Sequence, residues 1–385
     1  MRAIWTKIVE HERLKRSSHS AKVHDGTVFV FGGELQPRTP RDAVLYGVKL
    51  HGPDGKDEAT LRLAVRYTLS ARKLVLEAMM RTRGDVSLRK RDRWLIHAVE
   101  IQGSEVTNIS AKTEHSPPAR VGSAATVLNG QLFMYGGRGG EAMAPLHEDG
   151  AMWTFDLRDK GQQGWQMVRP QSEGPRPEPR SYHTMANNGV DTVYLHAGCP
   201  AKGRLSDLWA FDVSTCTWRE LASAPDPPRG GPSLAYCDGK LYRMNGFDGN
   251  TEQGGAIDVY DLAGDKWTTV KFEADAKNGP GARSVAALLV TSIHGKQHLV
   301  TIFGESDPSS LGHQGAGKML RDAWAFDLAR SKWTQVEFDA FKAPEARGWF
   351  DADVARLGGE DRVVVVGGLG ENNERLGDVW VMSFA

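Results

Sequence analysis

Hydrophobic and polar positions in this chain follow no single period from end to end; they form a phrase that recurs with drift. Each copy opens on Arg beside small or hydroxyl residues, passes a short turn, and enters an apolar run that ends in two small residues, usually Gly-Gly. A gap follows, then an alternating strand ending near Asp-Leu, and after it a Trp with an aliphatic residue three positions on. Continuous apolar runs of this length, bounded by Gly, read as strands buried on both faces, and the alternating run reads as a half-buried strand. Each phrase therefore predicts four short strands.

The copies are explicit. One runs from Arg120 through LFMYGG and MWTFDL to Trp165 and Val168; the next from Arg180 through VYLHAG and DLWAFDV to Trp218 and Leu221. Others run from Arg229 through LYRMNG and IDVYDL to Trp267 and Val270, and from Arg283 through LVTIFG and DAWAFDL to Trp333 and Val336. The last runs from Arg347 through VVVVGG to DVWVMSF, and the first from Arg16 through SSHSAKV and VFVFGGE. The leading Arg residues 120, 180, 229, 283 and 347 are 60, 49, 54 and 64 apart, near the roughly 50 residues of a kelch blade plus loops. The fold class expected is all-β, a six-bladed kelch β-propeller forming one domain over residues 1–385. The last copy lacks its Trp strand, while the N-terminus carries Trp5-Thr6-Lys7-Ile8 in the same form as Trp333 to Val336. A strand donated from the N-terminus would complete that blade and remove the open edge.

One segment breaks the repeat. An insertion is expected over 47–94 within blade 1, with the third and fourth strands of that blade resuming as IHAVEIQ and VTNIS. Residues 49–95 carry twelve Lys or Arg against six Asp or Glu, and ARKLVLEAMMRTR has helix formers at amphipathic spacing. A basic loop, a retained noncoding segment and a partner-binding helix all fit this composition.

Composition narrows the function classes. With 48 basic and 48 acidic side chains, bulk charge gives no reason to expect nucleic acid or an anionic membrane as partner. No run of eighteen apolar residues is present, so no spanning helix is expected. The first sixteen residues hold no apolar stretch of signal-peptide length, and Cys199, Cys216 and Cys237 have no zinc-like spacing, so a cytoplasmic location with reduced thiols is the expectation.

Candidate chemistry gathers at one mouth of the ring. In antiparallel strands the start of strand one and the end of strand two lie together. The leading Arg16, Arg120, Arg180, Arg229, Arg283 and Arg347 and the post-glycine Glu34, Arg138, Cys199, Phe247, Glu305 and Leu369 are therefore expected there. Guanidinium forks converging on a cup would suit a small anion; each Arg taken singly reads first as a brace on carbonyls or a neighbouring acid, and it is the set that points to an anion. In the loop FGESDPSSLGHQGAGKML, Glu305, Asp307 and His313 are a candidate set for a divalent iron with open positions, and a hydrogen-bonded turn is the other reading.

SSHSAKV with VFVFGGEL, ARVGSAATVLNGQLFMYGGR, PRSYHTMA, GESDPSSLGHQGAG and ARGWF together resemble, in order, the plant nitrile-specifier, epithiospecifier and thiocyanate-forming proteins. The resemblance implies a six-bladed propeller that acts with ferrous iron on the aglucone released from glucosinolates, a small sulfated anion, and steers its breakdown toward nitrile-type products. It implies Arg120 and Arg180 as the sulfate anchors, Trp349 as an aromatic wall, Glu34 as an acid at the mouth, and Glu305 and His313 as iron ligands. The family's middle acid position is occupied by Ser309, and the nearest acid is Asp307. The alternative function is a kelch scaffold that grips a protein partner without catalysis.

Overall fold

A computed structural model of the chain describes residues 1–50, 106–109, 116–158, 164–171 and 173–385. Six four-stranded antiparallel units follow one another around a central channel. Blade 2 takes Ala124–Leu128, Gln131–Tyr135, Met152–Asp156 and Trp165–Val168, and blade 3 takes Thr184–Asn187, Thr192–Gly198, Leu205–Asp212 and Thr217–Leu221. Blade 4 spans Ser233–Cys237 to Lys266–Lys271, and blade 5 spans Ala287–Ile293 to Lys332–Gln335. Blade 6 combines Asp351–Leu357, Glu360–Gly370 and Arg375–Phe384 with the N-terminal Ala3–Glu10, whose Trp5 pairs with Met382. The ring is closed by its own first strand, as the sequence predicts.

Blade 1 departs from expectation. Its first two strands are Ser17–His24 and Thr27–Gln36, but the third is Tyr46–Lys49, paired with Val30 to Thr27, and the fourth is Val106–Asn108. The third strand thus precedes the insertion, because YGVK presents the Tyr and Val that the facing core of blade 6 can bury. IHAVEIQ, the helical reading of ARKLVLEAMMRTR and the rest of the insertion from residue 51 lie outside the described residues. No helix among the described residues is long and apolar enough to cross a membrane.

The core is six clusters, each sandwiched between neighbouring blades. The run Val363–Val366 shows why apolar strands need no alternation here. Val363 and Val365 pack toward blade 5, and Val364 and Val366 toward blade 1. Successive side chains point to opposite faces, and in a propeller both faces are interior.

The two small residues after each second strand have a common cause. Both have positive φ in every blade, at Gly32/Gly33, Gly136/Gly137, Ala197/Gly198, Asn245/Gly246, Phe303/Gly304 and Gly367/Gly368. The second is always Gly. A Cβ on Gly198 would lie 2.7 Å from the His183 Cβ, and one on Gly368 2.8 Å from the Gly348 carbonyl oxygen. Its N–H donates across the blade boundary to the carbonyl of the next leading Arg, as in Gly33 to Arg120 (2.8 Å) and Gly368 to Arg16 (2.9 Å).

A second ring lies nearer the axis. The residue two after each leading Arg, Ser18, Gly122, Tyr182, Gly231, Val285 and Trp349, has φ between 44° and 65°. Each donates its N–H to the carbonyl of its counterpart one blade back, from Gly122 to Ser18 (2.8 Å) round to Ser18 to Trp349 (2.7 Å). Four of these positions hold non-Gly residues in the left-handed region, a cost of about 1–2 kcal/mol each that the cyclic bonds offset.

Candidate functional site

The leading Arg residues are where the sequence reading needs its main correction. Arg120 and Arg180 are fully buried, and their guanidinium groups turn into their own blades. Arg120 makes a two-point pair with Glu148 (2.7 and 3.0 Å) and also donates to the carbonyls of Gly136 and Pro118. Arg180 pairs with both oxygens of Asp207 (2.7 Å each) and donates to the carbonyls of Ala197 and Glu178. Arg283 and Asp322, and Arg347 and Asp378, repeat the motif, and Arg16 reaches Asp42 at 3.1 Å. Blade 4 relaxes it: Arg229 is 3.9 Å from Asp258, which Arg243 approaches to 3.2 Å. These forks brace the end of strand two against the start of strand three. They do not form an anion cup, and the sulfate role expected of Arg120 and Arg180 has no geometric basis.

The backbone half of the expectation holds. Val121 bridges Arg138, Ser181 bridges Cys199, Gly230 bridges Phe247 and Ser284 bridges Glu305, so the post-glycine residues gather at one mouth. There a cavity of about 190 Å³ is enclosed by Cys199, Phe247, Glu305, Tyr182, Trp349 and the loop residues Pro308 and Ser309. Its floor is aromatic. Tyr182 of blade 3 and Trp349 of blade 6 meet across the axis, edge to face, with centroids 5.4 Å apart. Gly122 and Gly231, in the same ring, make room; a Cβ on Gly122 would lie 2.7 Å from the Tyr182 ring. Below them is the larger channel of about 600 Å³, lined by the first strands with His19 and His183. Burial, with Arg16 and Arg180 nearby, pushes both imidazoles down to about 3, so they are neutral.

Among the expected site residues, Glu305 and Trp349 are brought together. Trp349 Nε1 donates to Glu305 Oε2 (3.0 Å), and Gly317 N–H donates to Oε1 (2.7 Å). Gly317 is required there, since a Cβ would lie 2.6 Å from that oxygen. Burial pushes the Glu305 carboxyl up despite these two bonds. Glu34 is at the blade 1 position of the mouth, but its Oε1 accepts from Arg375 (3.0 Å) and its Oε2 from Arg38 N–H (2.6 Å). Asp307 is exposed, with φ 50°, and Ser309 lines the cavity. His313 lies in the 3₁₀ turn Gly312–Gln314, and its side chain is outside the described residues. Among the described residues no three His, Cys, Asp or Glu are grouped to hold a metal; the His313 side chain lies outside them, and each Glu305 oxygen accepts one hydrogen bond.

Two cavity residues escaped the sequence reading: Arg204 and Glu252. Each sits six residues past the glycine that ends the small pair of its blade, Gly198 and Gly246, an offset that would have found them. Burial, with the charges of Glu305, Asp307 and Asp248 adding to it, pushes Glu252 up to about 7. Raised above its unfolded value of 4.5, this carboxyl gives the folded state more bound proton. Stability should therefore fall as pH rises from about 4.5 through 7. Urea midpoints should drop further between pH 5 and pH 8 in the parent than in Glu252→Gln; parallel curves would disprove the assignment.

The KLHDC2/KLHL20/DRC7 Kelch-repeats domain matches residues 81–304, more than half of the chain. The chain is 25% identical over 288 residues to the N-(sulfonatooxy)prop-2-enimidothioate sulfolyase of Thlaspi arvense, covering 69% of this chain and 77% of that one. It is 24% identical over 278 residues to the human leucine-zipper-like transcriptional regulator 1, covering 70% of this chain but 30% of that protein. The solved structure of YjhT superposes with a TM-score of 0.62 at 12% identity, covering 97% of this chain and 95% of that one, a likeness of fold alone. Six braced Arg phrases, a glycine at every second-strand exit, an N-terminal closing strand and this domain match together place the chain in the Kelch-repeat family.

Proposed function

We propose that the protein binds a small organic substrate in the mouth cavity and directs its breakdown in the manner of a nitrile-specifier protein, with a sulfated thiohydroximate or a similar anion as substrate. The observation that carries this reading is the cavity itself: it is closed below by Tyr182 and Trp349, walled by Phe247 and entered by the buried carboxylate of Glu305. The likeness to a sulfolyase supports it. A cavity of about 190 Å³ is of small-molecule size and too narrow for a folded partner. Aromatic walls exclude water from a reactive sulfur, which disfavours solvent-dependent side paths. The Trp349 indole holds Glu305 in place, so the carboxylate presents its remaining lone pairs to the cavity. Glu305, Asp307 and His313 are the residues that would hold Fe(II), and no step is assigned to it.

Purified protein with myrosinase and allylglucosinolate, with and without Fe(II), tests this directly. The nitrile-type fraction should rise at the expense of isothiocyanate, and Glu305→Gln should remove most of that rise while thermal stability is retained. Calorimetric titration with Fe(II) tests the metal separately. An isothiocyanate yield unchanged by the protein would reject the reading in favour of a non-catalytic protein-interaction scaffold.

A further inference from the structure

The axial channel behind the aromatic floor of the mouth carries charged groups that the mouth does not use. It encloses about 600 Å³. The Tyr182 and Trp349 rings close its inner end, and it extends along the first strands to the turn at Asn129 and Gly130. It is therefore a recess entered from the face opposite the mouth, and it shares with the mouth cavity only the dividing ring at Tyr182, Gly231, Val285 and Trp349. Imidazoles aside, three charged side chains line it among the described residues: Lys22 of blade 1 and Asp351 and Asp353 of blade 6. All three are half-buried. Lys22 Nζ donates to both Asp351 oxygens (3.0 and 2.8 Å). Asp351 Oδ2 and Asp353 Oδ2 accept the N–H groups of Ala21 and Val23, at 2.7 Å each, as two side chains on one face of a strand can do for a neighbouring edge. Two carboxylates thus face one ammonium, and one negative charge is left over. Burial acts to lower the Lys22 ammonium, but Asp351 and Asp353 outweigh it and hold it raised. Burial pushes the Asp353 carboxyl up although Lys22 and the N–H groups of Val23 and Val354 oppose it, as expected of a charge without a full counter-charge. Between low-dielectric walls such a charge focuses its field on the open space before it. The same recess is lined by the half-buried Leu289 and Val290 of blade 5 and by Phe350.

We propose that this recess is a second ligand site, taking a small organic cation: a protonated amine whose N–H groups meet the remaining lone pairs of Asp353 and Asp351 and whose apolar body covers Leu289, Val290 and Phe350. The charge decides the class. An anion would meet two carboxylates with Lys22 already committed to Asp351, and a neutral molecule would leave the surplus charge unmatched. Asp353 Oδ1 and Oδ2 accept one hydrogen bond each among the described residues, from Val354 (2.9 Å) and Val23 (2.7 Å), and a carboxylate oxygen can accept a second. The aromatic rings at the inner end favour a cation further, because ring faces attract positive charge. The volume is that of a small-molecule pocket. Lys22, Asp351 and Asp353 do not line the mouth cavity, so the inference goes beyond the specifier reading and does not depend on it.

Isothermal titration calorimetry on the full chain tests it, with benzylammonium as probe beside benzyl alcohol, which lacks the charge, and benzoate, which reverses it. Benzylammonium should bind saturably, benzyl alcohol at least about tenfold more weakly, as expected for loss of a charged hydrogen bond, and benzoate more weakly still. Asp353→Asn should weaken benzylammonium about tenfold or more. Lys22→Gln, which removes the internal counter-charge, should instead tighten it about tenfold, a gain that a merely structural role for Lys22 would not produce. Melting temperatures close to the parent's show that a variant is folded, and the ranking of the three probes on the unaltered chain needs no variant. No saturable benzylammonium binding, equal affinity for benzyl alcohol, or indifference to Asp353→Asn in an intact fold overturns the proposal. So does benzylammonium binding that is lost in Glu252→Gln or Glu305→Gln and spared in Asp353→Asn, because that places the probe in the mouth. The titration contains no myrosinase, so failure of the product assay leaves the proposal standing, and failure here leaves the specifier reading untouched.

Discussion

Arg347→Met should destabilise the protein by about 3–5 kcal/mol, the scale for breaking one partner out of a buried ion pair. The Arg347 side chain is fully buried and donates to both oxygens of Asp378 at 2.6 and 3.0 Å, to Gly367 at 3.0 Å and to Glu345 at 3.1 Å. Without it, Asp378 keeps one side-chain partner among the described residues, the Trp380 indole at 2.7 Å, and the Gly367 carbonyl loses its donor. Burial pushes the Asp378 carboxyl up, but the Arg347 hydrogen bonds and charge, together with Trp380, outweigh it and hold the pKa below the ordinary 3.8. That stabilisation is present above the unfolded pKa and lost as pH falls through the folded one. The deficit of the variant should therefore persist from about pH 7 down to about 3.8 and shrink only below it, at about pH 3, as Asp378 takes up a proton and needs no counter-charge. Urea unfolding at about pH 7 and about pH 3 checks this, and Arg347→Met with Asp378→Leu should recover part of the loss. A variant as stable as the parent would return the leading Arg residues to candidacy as ligand groups.

Removing residues 1–10 should cost more than any single substitution, and Trp5→Ala alone about 3–5 kcal/mol, the range for truncating a buried aromatic. Trp5 is buried, stacked on Phe303 at 5.7 Å and edge-on to Phe338 at 6.0 Å, so it joins blade 6 to blade 5. Deletion of the strand also strips the hydrogen-bond partners from Arg375–Phe384 and leaves an exposed edge. The truncated chain should then associate through that edge as well as unfold at lower urea, whereas Trp5→Ala should remain monodisperse. Light scattering after gel filtration, with urea titration, separates the two effects. A truncated ring that stays monodisperse and as stable as the parent would show that the other strands suffice for closure.

The structure also explains why some sequence signals drift and others do not. The first residue of the small pair can be Gly, Ala, Asn or even Phe303, because it needs only a positive φ and its carbonyl accepts from the leading Arg. The second must be Gly, because a neighbouring backbone or side chain occupies the place of its Cβ. Blade count, strand order and the closing strand were legible because they follow from apolar periodicity and from a repeat that ends one strand short. The acids that claim the guanidinium groups were also in view, as the first residue of DLWAFDV, DAWAFDL and DVWVMSF. Their pairing was not, because it depends on the direction in which a side chain leaves a backbone position that was itself correctly placed.

What the amino-acid order determined alone is therefore the wheel: six phrases, buried strands between paired sheets, obligatory glycines and a latch at residues 3–10. Tertiary structure alone decided which charges face ligand and which face protein. Arg120 and Arg180 turn inward to Glu148 and Asp207, while Arg204 and Glu252, on separate loops of blades 3 and 4, line the same cavity as Glu305 and Trp349. The reason is physical. Periodicity in a sequence records which face of a strand is dry, but a long polar side chain finds its partner through space, and that distance exists only once the ring has closed.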